Sequence, residues 1–102
     1  MLVGAVLLAG CATTDVTKTG KGHYDPTNAN NVEILMTKPN RNFVELGAVS
    51  AAKFKPKQTA TMHNAFRSKA AALGADAVYI INSGIDQDGH LWATGVAVRY
   101  SQ

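Results

Sequence analysis

Thr59-Ala60-Thr61-Met62-His63-Asn64-Ala65-Phe66-Arg67-Ser68-Lys69-Ala70-Ala71-Ala72-Leu73-Gly74-Ala75-Asp76-Ala77-Val78-Tyr79-Ile80-Ile81 is the stretch on which the fold turns. Apolar Met62, Phe66, Ala70 and Leu73 recur at helical spacing, with His63, Asn64, Arg67 and Ser68 among the intervening polar positions, which predicts a helix over residues 59–73. Gly74 stands where a left-handed residue ends a helix, and Asp76 completes a tight return. The apolar run over residues 77–81 then reads as a buried strand.

Three further strands lie outward from this unit. Residues 32–37 alternate Val32, Ile34 and Met36 against Glu33, Leu35 and Thr37, and end in the turn signal Lys38-Pro39-Asn40-Arg41-Asn42. Residues 43–52 alternate through Val44, Leu46 and Ala48, then shift so that Val49 looks inward, with Gly47 at the shift as a bulge. Residues 91–100 alternate from Trp92 to Tyr100 and are joined to the preceding strand through Asp86-Gln87-Asp88-Gly89. The expected domain, residues 32–102, is α+β: a four-stranded sheet with one helix packed on one face, in the order ββαββ. The strand at 77–81 is apolar on both sides, Val78 and Ile80 against Ala77, Tyr79 and Ile81, and one helix covers only one face. The other face is expected to be covered by the N-terminal segment folding back, by another subunit or by a partner.

A chain of 102 residues with 46% hydrophobic residues is one small globular domain. Its single cysteine, Cys11, rules out an intrachain disulfide and leaves intermolecular bonding or modification. The net charge of +3 is unevenly spread. Residues 38–69 carry Lys38, Arg41, Lys53, Lys55, Lys57, Arg67 and Lys69 against Glu45 alone, whereas residues 70–102 carry Arg99 against Asp76, Asp86 and Asp88.

Residues 2–10 are apolar but far short of the roughly 20 needed for a membrane-spanning helix, so they read as a targeting segment. Leu8-Ala9-Gly10-Cys11 resembles the lipobox of bacterial lipoproteins, in which small residues admit the signal peptidase just before a cysteine that becomes acylated. Residues 1–10 are therefore expected as a lipoprotein signal segment and Cys11 as the lipidation site. No basic residue precedes the apolar run, although secretory signals begin with one, and a few basic residues are expected ahead of Met1 in the gene. Residues 12–31 are rich in Thr, Gly and Asn, so 11–31 is expected as lipid anchor and flexible tether. With Ala12 rather than aspartate after the cysteine, the lipobox resemblance implies export to the outer membrane, facing the periplasm.

Ala70-Ala71-Ala72-Leu73-Gly74-Ala75-Asp76-Ala77-Val78, followed by Gly95-Val96-Ala97-Val98, resembles the corresponding stretch of YbjQ-type small domains. Leu46-Gly47-Ala48-Val49 together with that helix exit is similar to the RcsF family of outer-membrane stress-sensor lipoproteins. Across residues 32–100 the resemblance implies a small α+β domain and, through RcsF, a role in envelope stress sensing. The chain lacks the folded-domain cysteines of the sensor family, and the heavy-metal binding suggested for YbjQ-type domains gains no support from it.

His63 has no second ligand three or four residues away, and His23 and His90 fall in other elements, so no metal site is expected. Asp86-Gln87-Asp88-Gly89 resembles the opening of a calcium loop without its late glutamate and reads as a hairpin turn. Gly20-Lys21-Gly22 lacks the preceding strand and following helix of a phosphate cradle. No nucleophile is paired with a base, so neither a catalytic residue nor a cofactor is expected. The candidate binding surface is basic: Lys53, Lys55 and Lys57 around Phe54 and Pro56, with Arg67 and Lys69 on the following helix. In the periplasm it suits lipopolysaccharide phosphates, peptidoglycan carboxylates or an acidic protein face, and excludes nucleic acid. The expected function is that of a non-enzymatic cell-envelope lipoprotein, held to the membrane by its lipid and binding an envelope protein or cell-wall partner. The alternative is a structural homo-oligomer in which identical domains bury the second sheet face.

Overall fold

The computed structural model describes residues 12–101. The expected signal segment and Cys11 lie outside them. The elements are β1 (Thr13–Lys18), β2 (Glu33–Leu35), β3 (Phe43–Phe54), α1 (Thr59–Ala72), β4 (Ala77–Ile85) and β5 (Leu91–Tyr100), with 3-10 turns at Ala29–Asn31 and Pro56–Gln58. The fold is α+β with one helix, as expected. The sheet, however, has five strands, in the order β1-β3-β5-β4-β2. All neighbours are antiparallel except β2, which runs parallel to β4.

The turning point behaves as its sequence predicts. Gly74 adopts φ +89°, the Ala75 amide donates to Ala70 O at 3.1 Å and the Gly74 amide to Ala71 O at 2.9 Å, the paired bonds of a Schellman motif. A side chain at Gly74 would also place its Cβ 2.6 Å from the Tyr24 Cβ. Asp76 then ties the return to β5, its amide donating to Val98 O at 2.8 Å and its carboxylate accepting from the Tyr100 amide at 2.9 Å.

The core lies between α1 and one face of the sheet. Cross-strand rows Val16, Val49, Gly95, Ile80 and Gly47, Ala97, Val78, Ile34 present that face. Past Leu91 at its start, the central strand contributes the small residues Ala93, Gly95 and Ala97, which leaves depth for buried Met62 and Phe66 from the helix. The bulge expected at Gly47 is present as a register shift between Glu45 and Gly47, with Leu46 and Val49 both buried.

The opposite face is partly covered by the chain's own side chains, at one end. Phe43 meets Tyr79 edge-on at 6.0 Å, the Arg41 guanidinium lies 3.8 Å over the Tyr100 ring, and the Tyr100 hydroxyl donates to Glu33 at 2.6 Å. Burial first, then the Glu33 carboxylate, pushes the Tyr100 pKa up to about 12. Ala77 and Val98, which pair on this face, are fully buried. Farther along, the row Ser50, Thr94, Asn82 is polar. Between the two, the row Ala48, Val96, Tyr79, Leu35 is apolar and exposed or half-buried, so only part of this face is taken up within the chain.

The fifth strand comes from the segment read as a tether. Thr13–Lys18 is a run of β-branched residues around Asp15, and an edge strand needs only one inward apolar side chain, here Val16. Thr19 and Gly20 then donate to Leu46 O, and Gly20 lies so close to the Glu45 carbonyl that no Cβ fits. Tyr24 sits under the Arg99 guanidinium at 4.7 Å. The Thr27 amide donates to Ala71 O at 2.9 Å and its hydroxyl to Ala75 O at 2.5 Å. Residues 19–32 thus run past the C-terminal end of α1, adding a second donor to Ala71 O and one to the Ala75 carbonyl just beyond the helix. The other strands shift at their ends: β2 pairs over three residues instead of six, and β4 continues to Ile85 instead of stopping at Ile81.

Candidate functional site

Lys53, Lys55 and Lys57 come together at the end of β3 and in the turn that opens the helix. Lys53 adopts φ +65° within the second register shift of β3, between Ala51 and Phe54, and this left-handed kink separates it from buried Phe54. The Lys55 amide donates to the Gln58 side chain at 2.9 Å, and Pro56 occupies the first position of the following turn. All three lysines are exposed. Thr13 pairs with Ala52, so this cluster adjoins the first residue of β1.

The structure divides the expected basic surface. Arg67 is taken up in the fold, its Nε donating to Val32 O at 3.0 Å and its Nη1 to Asn64 at 2.7 Å, which latches the helix to the start of β2. Lys69 is exposed in the last helical turn, roughly 18 Å along the axis from Lys57 at 1.5 Å per residue, where it complements the negative end of the helix dipole.

A second site is one the sequence reading missed. Because β2 stops at Leu35, the outer edge of β4 beyond Tyr79 has no strand beside it among the described residues. Between that edge and the first half of α1 lies an apolar groove of about 280 Å³, lined chiefly by Met36, Met62, His63, Ile80, Ile85 and Leu91. Met36 and Ile85 are 61% and 62% exposed on its rim. The edge itself is partly blunted: the register shift at Ile81 turns the strand, and the Asn82 side chain accepts from the Ser83 amide. The volume is at the lower limit of small-molecule pockets and suits one or two apolar side chains. Asn82-Ser83-Gly84 looks like a strand terminator, but Gly84 is open space for an aromatic ring: a Cβ there would stand 3.0 Å from the Trp92 ring. A glycine opposite a tryptophan across a hairpin was the available signal.

His63 is the titratable group of the groove. Burial first, and then the Arg67 charge, lower its pKa below the ordinary 6.5. The folded imidazole therefore takes up its proton at lower pH than the unfolded one, so stability present above the unfolded pKa is lost as pH falls through it toward the folded value. The midpoint of thermal unfolding is expected to fall between about pH 7 and about pH 5, with His63→Gln flattening that slope. An unchanged slope in the variant would assign the loss to other groups.

The β4–β5 turn gathers Asp86, Asp88 and His90, whose ligand atoms lie within 4.8 Å of one another. Asp86 Oδ1 already accepts from the Asp88 and His90 amides at 2.9 Å each, and the His90 amide bond is the first cause that lowers the Asp86 pKa. Gly89, at φ +83°, completes the turn. Construction of the hairpin accounts for this carboxylate.

The fold has a solved counterpart. A Francisella virulence factor, FvfA, superposes with a TM-score of 0.62 at 14% identity, over 84% of this chain and 96% of that one. At that identity the likeness is one of fold. No family model matches the sequence, and no curated protein matches it either. Among the described residues no helix is long and apolar enough to cross a membrane.

Proposed function

We propose that the chain is a non-enzymatic envelope lipoprotein, acylated at Cys11, exported to the outer membrane and acting there as a binding module for another envelope protein. The address rests on Leu8-Ala9-Gly10-Cys11, which ends two residues before the first strand begins at Thr13. The binding role rests on the groove beside β4, an apolar surface with exposed Met36 and Ile85 on its rim and a blunted strand edge along one side. Single exposed hydrophobic residues are ordinary, but two flanking a concave apolar site are the pattern of a partner's seat. The RcsF resemblance supports envelope stress sensing as the setting.

A photo-crosslinking residue placed at Met36 or Ile85, in cells with intact envelopes, is expected to capture a discrete partner. The same residue at exposed Ala72, beyond the groove at the other end of the helix, is expected to capture none. Equal capture at all three positions, or none at any, would contradict the binding role. An adduct of twice the protomer mass at Ile85 would instead favour the homo-oligomer. Such an oligomer would differ from the one expected to bury the second sheet face: two copies would meet along their β4 edges, where Ile81 and Ile85 are about equally exposed, at 60% and 62%.

A further inference from the structure

The position of β1 changes what a lipid on Cys11 would do. The first residue of the sheet, Thr13, is two residues beyond Cys11, so an extended connection spans at most about 7 Å. A lipid there holds the domain at the bilayer surface by one corner. That corner is defined by register, because Thr13 pairs with Ala52, and β3 continues from Ala52 into Lys53, Phe54, Lys55, Pro56 and Lys57.

We propose that Lys53, Lys55 and Lys57 form a footing that docks the domain on anionic phospholipid headgroups beside its own lipid anchor. This rests on the lipoprotein reading of Cys11 and adds to it an orientation. A short anchor places these exposed ammonium groups among lipid phosphates at no cost in translational freedom, and each lysine near an anionic surface favours the docked state. The left-handed kink at Lys53 and Pro56 turn the chain at this point, so successive lysines stay at the surface while Phe54 stays buried.

Exposed Asp15, on β1 opposite Ser50, is the carboxylate nearest the corner; the others at this end of the molecule are Asp86 and Asp88, on the turn beyond Ile85 and Leu91. These two lie on the β4 side, whereas the lysines lie on the β3 side next to β1, and His90 stands on the turn with Asp86 and Asp88. An anionic surface therefore attracts the β1–β3 corner and repels the β4–β5 turn, which tilts the domain. The groove beside β4 is lifted toward the aqueous side, where a partner reaches it.

The test uses the chain from Cys11 onward, coupled through its only thiol to a maleimide-phospholipid in lipid discs that carry a headgroup-chelated gadolinium ion. Amide signals report proximity to the surface. With phosphatidylglycerol present, broadening is expected to be strongest over residues 52–58 and weakest over residues 22–27, at the opposite end of the helix. In discs of phosphatidylcholine alone, or in the combined Lys53→Gln, Lys55→Gln, Lys57→Gln variant, the contrast is expected to fade. Three lysines at about 1 kcal/mol each set an upper limit of roughly 10²-fold on the change in docked fraction. Equal broadening at both ends with phosphatidylglycerol, or a contrast undiminished by the triple substitution, would overturn the footing. Chemical coupling separates this outcome from the lipoprotein reading, which depends on whether cells acylate Cys11.

Discussion

A chain beginning at residue 32 is expected to lose cooperative folding, whereas one beginning at residue 12 folds normally. Removing 12–31 strips β1 from the outer edge of β3, where it pairs through six residues from Thr13 to Lys18. It also removes Val16, Tyr24 and Ala29, which pack against the core. Leu46 and Val49, 4% and 1% exposed in the intact fold, lose their cover, and each such side chain carries about 1.5–3 kcal/mol of burial. The carbonyls of Ala71 and Ala75 lose the Thr27 amide and hydroxyl, at about 1 kcal/mol each. Small domains have only about 5–15 kcal/mol in total, so these losses approach the whole. Circular dichroism melting and dispersion of amide resonances give the comparison. A truncated chain whose midpoint stays within a few degrees of the longer one would restore residues 12–31 to the status of a leash.

That segment shows where sequence reading failed and why. The helix was legible because Met62, Phe66 and Ala70 mark its buried face, and Gly74 ends it by a conformation that glycine adopts readily. The last strand was legible because alternation persists over all of Leu91–Tyr100. β1 was not, because threonine counts as polar in composition while fitting a pleated edge, and one inward valine gives no periodic signal. The length of β2 was overestimated because alternation through Met36 says nothing about whether a neighbour is present to pair with.

The candidate sites divide in the same way. Lys53, Lys55 and Lys57 cluster because they are neighbours in sequence, and the structure keeps them together. Arg67 looked equally available, but its guanidinium is held by Val32 O, 35 positions away in the chain, a bond that local sequence does not announce. The groove depends on the shortness of β2, the extension of β4 and the placement of His63 and Met62 on the helix, three tertiary facts at once.

The proposals also constrain each other. A module on a long leash would reach partners deep in the periplasm, whereas one acylated at Cys11, with a sheet that starts at Thr13, would work within its own diameter of the bilayer. A partner seated in the groove would then have to come to the membrane surface. A protein already embedded in that membrane, with an apolar segment near the headgroups, meets this requirement more readily than a diffusing one.

The anchor is the premise on which these readings depend, and its removal is the second change of large expected effect. Two or three acyl chains, each methylene contributing about 0.8 kcal/mol on burial, hold a protein to a bilayer far more firmly than the marginal binding of one chain. Cys11→Ala removes the only side chain in the sequence able to form the thioether that carries them. The direct measurement is intact mass combined with membrane fractionation of the native and Cys11→Ala proteins, expressed in a bacterium from the native start. The account predicts a native protein wholly in the membrane fraction, with the mass of an acylated chain from Cys11 to Gln102, beside a variant that is neither processed nor acylated. Two soluble proteins that both retain residues 1–10 and carry no lipid would contradict it.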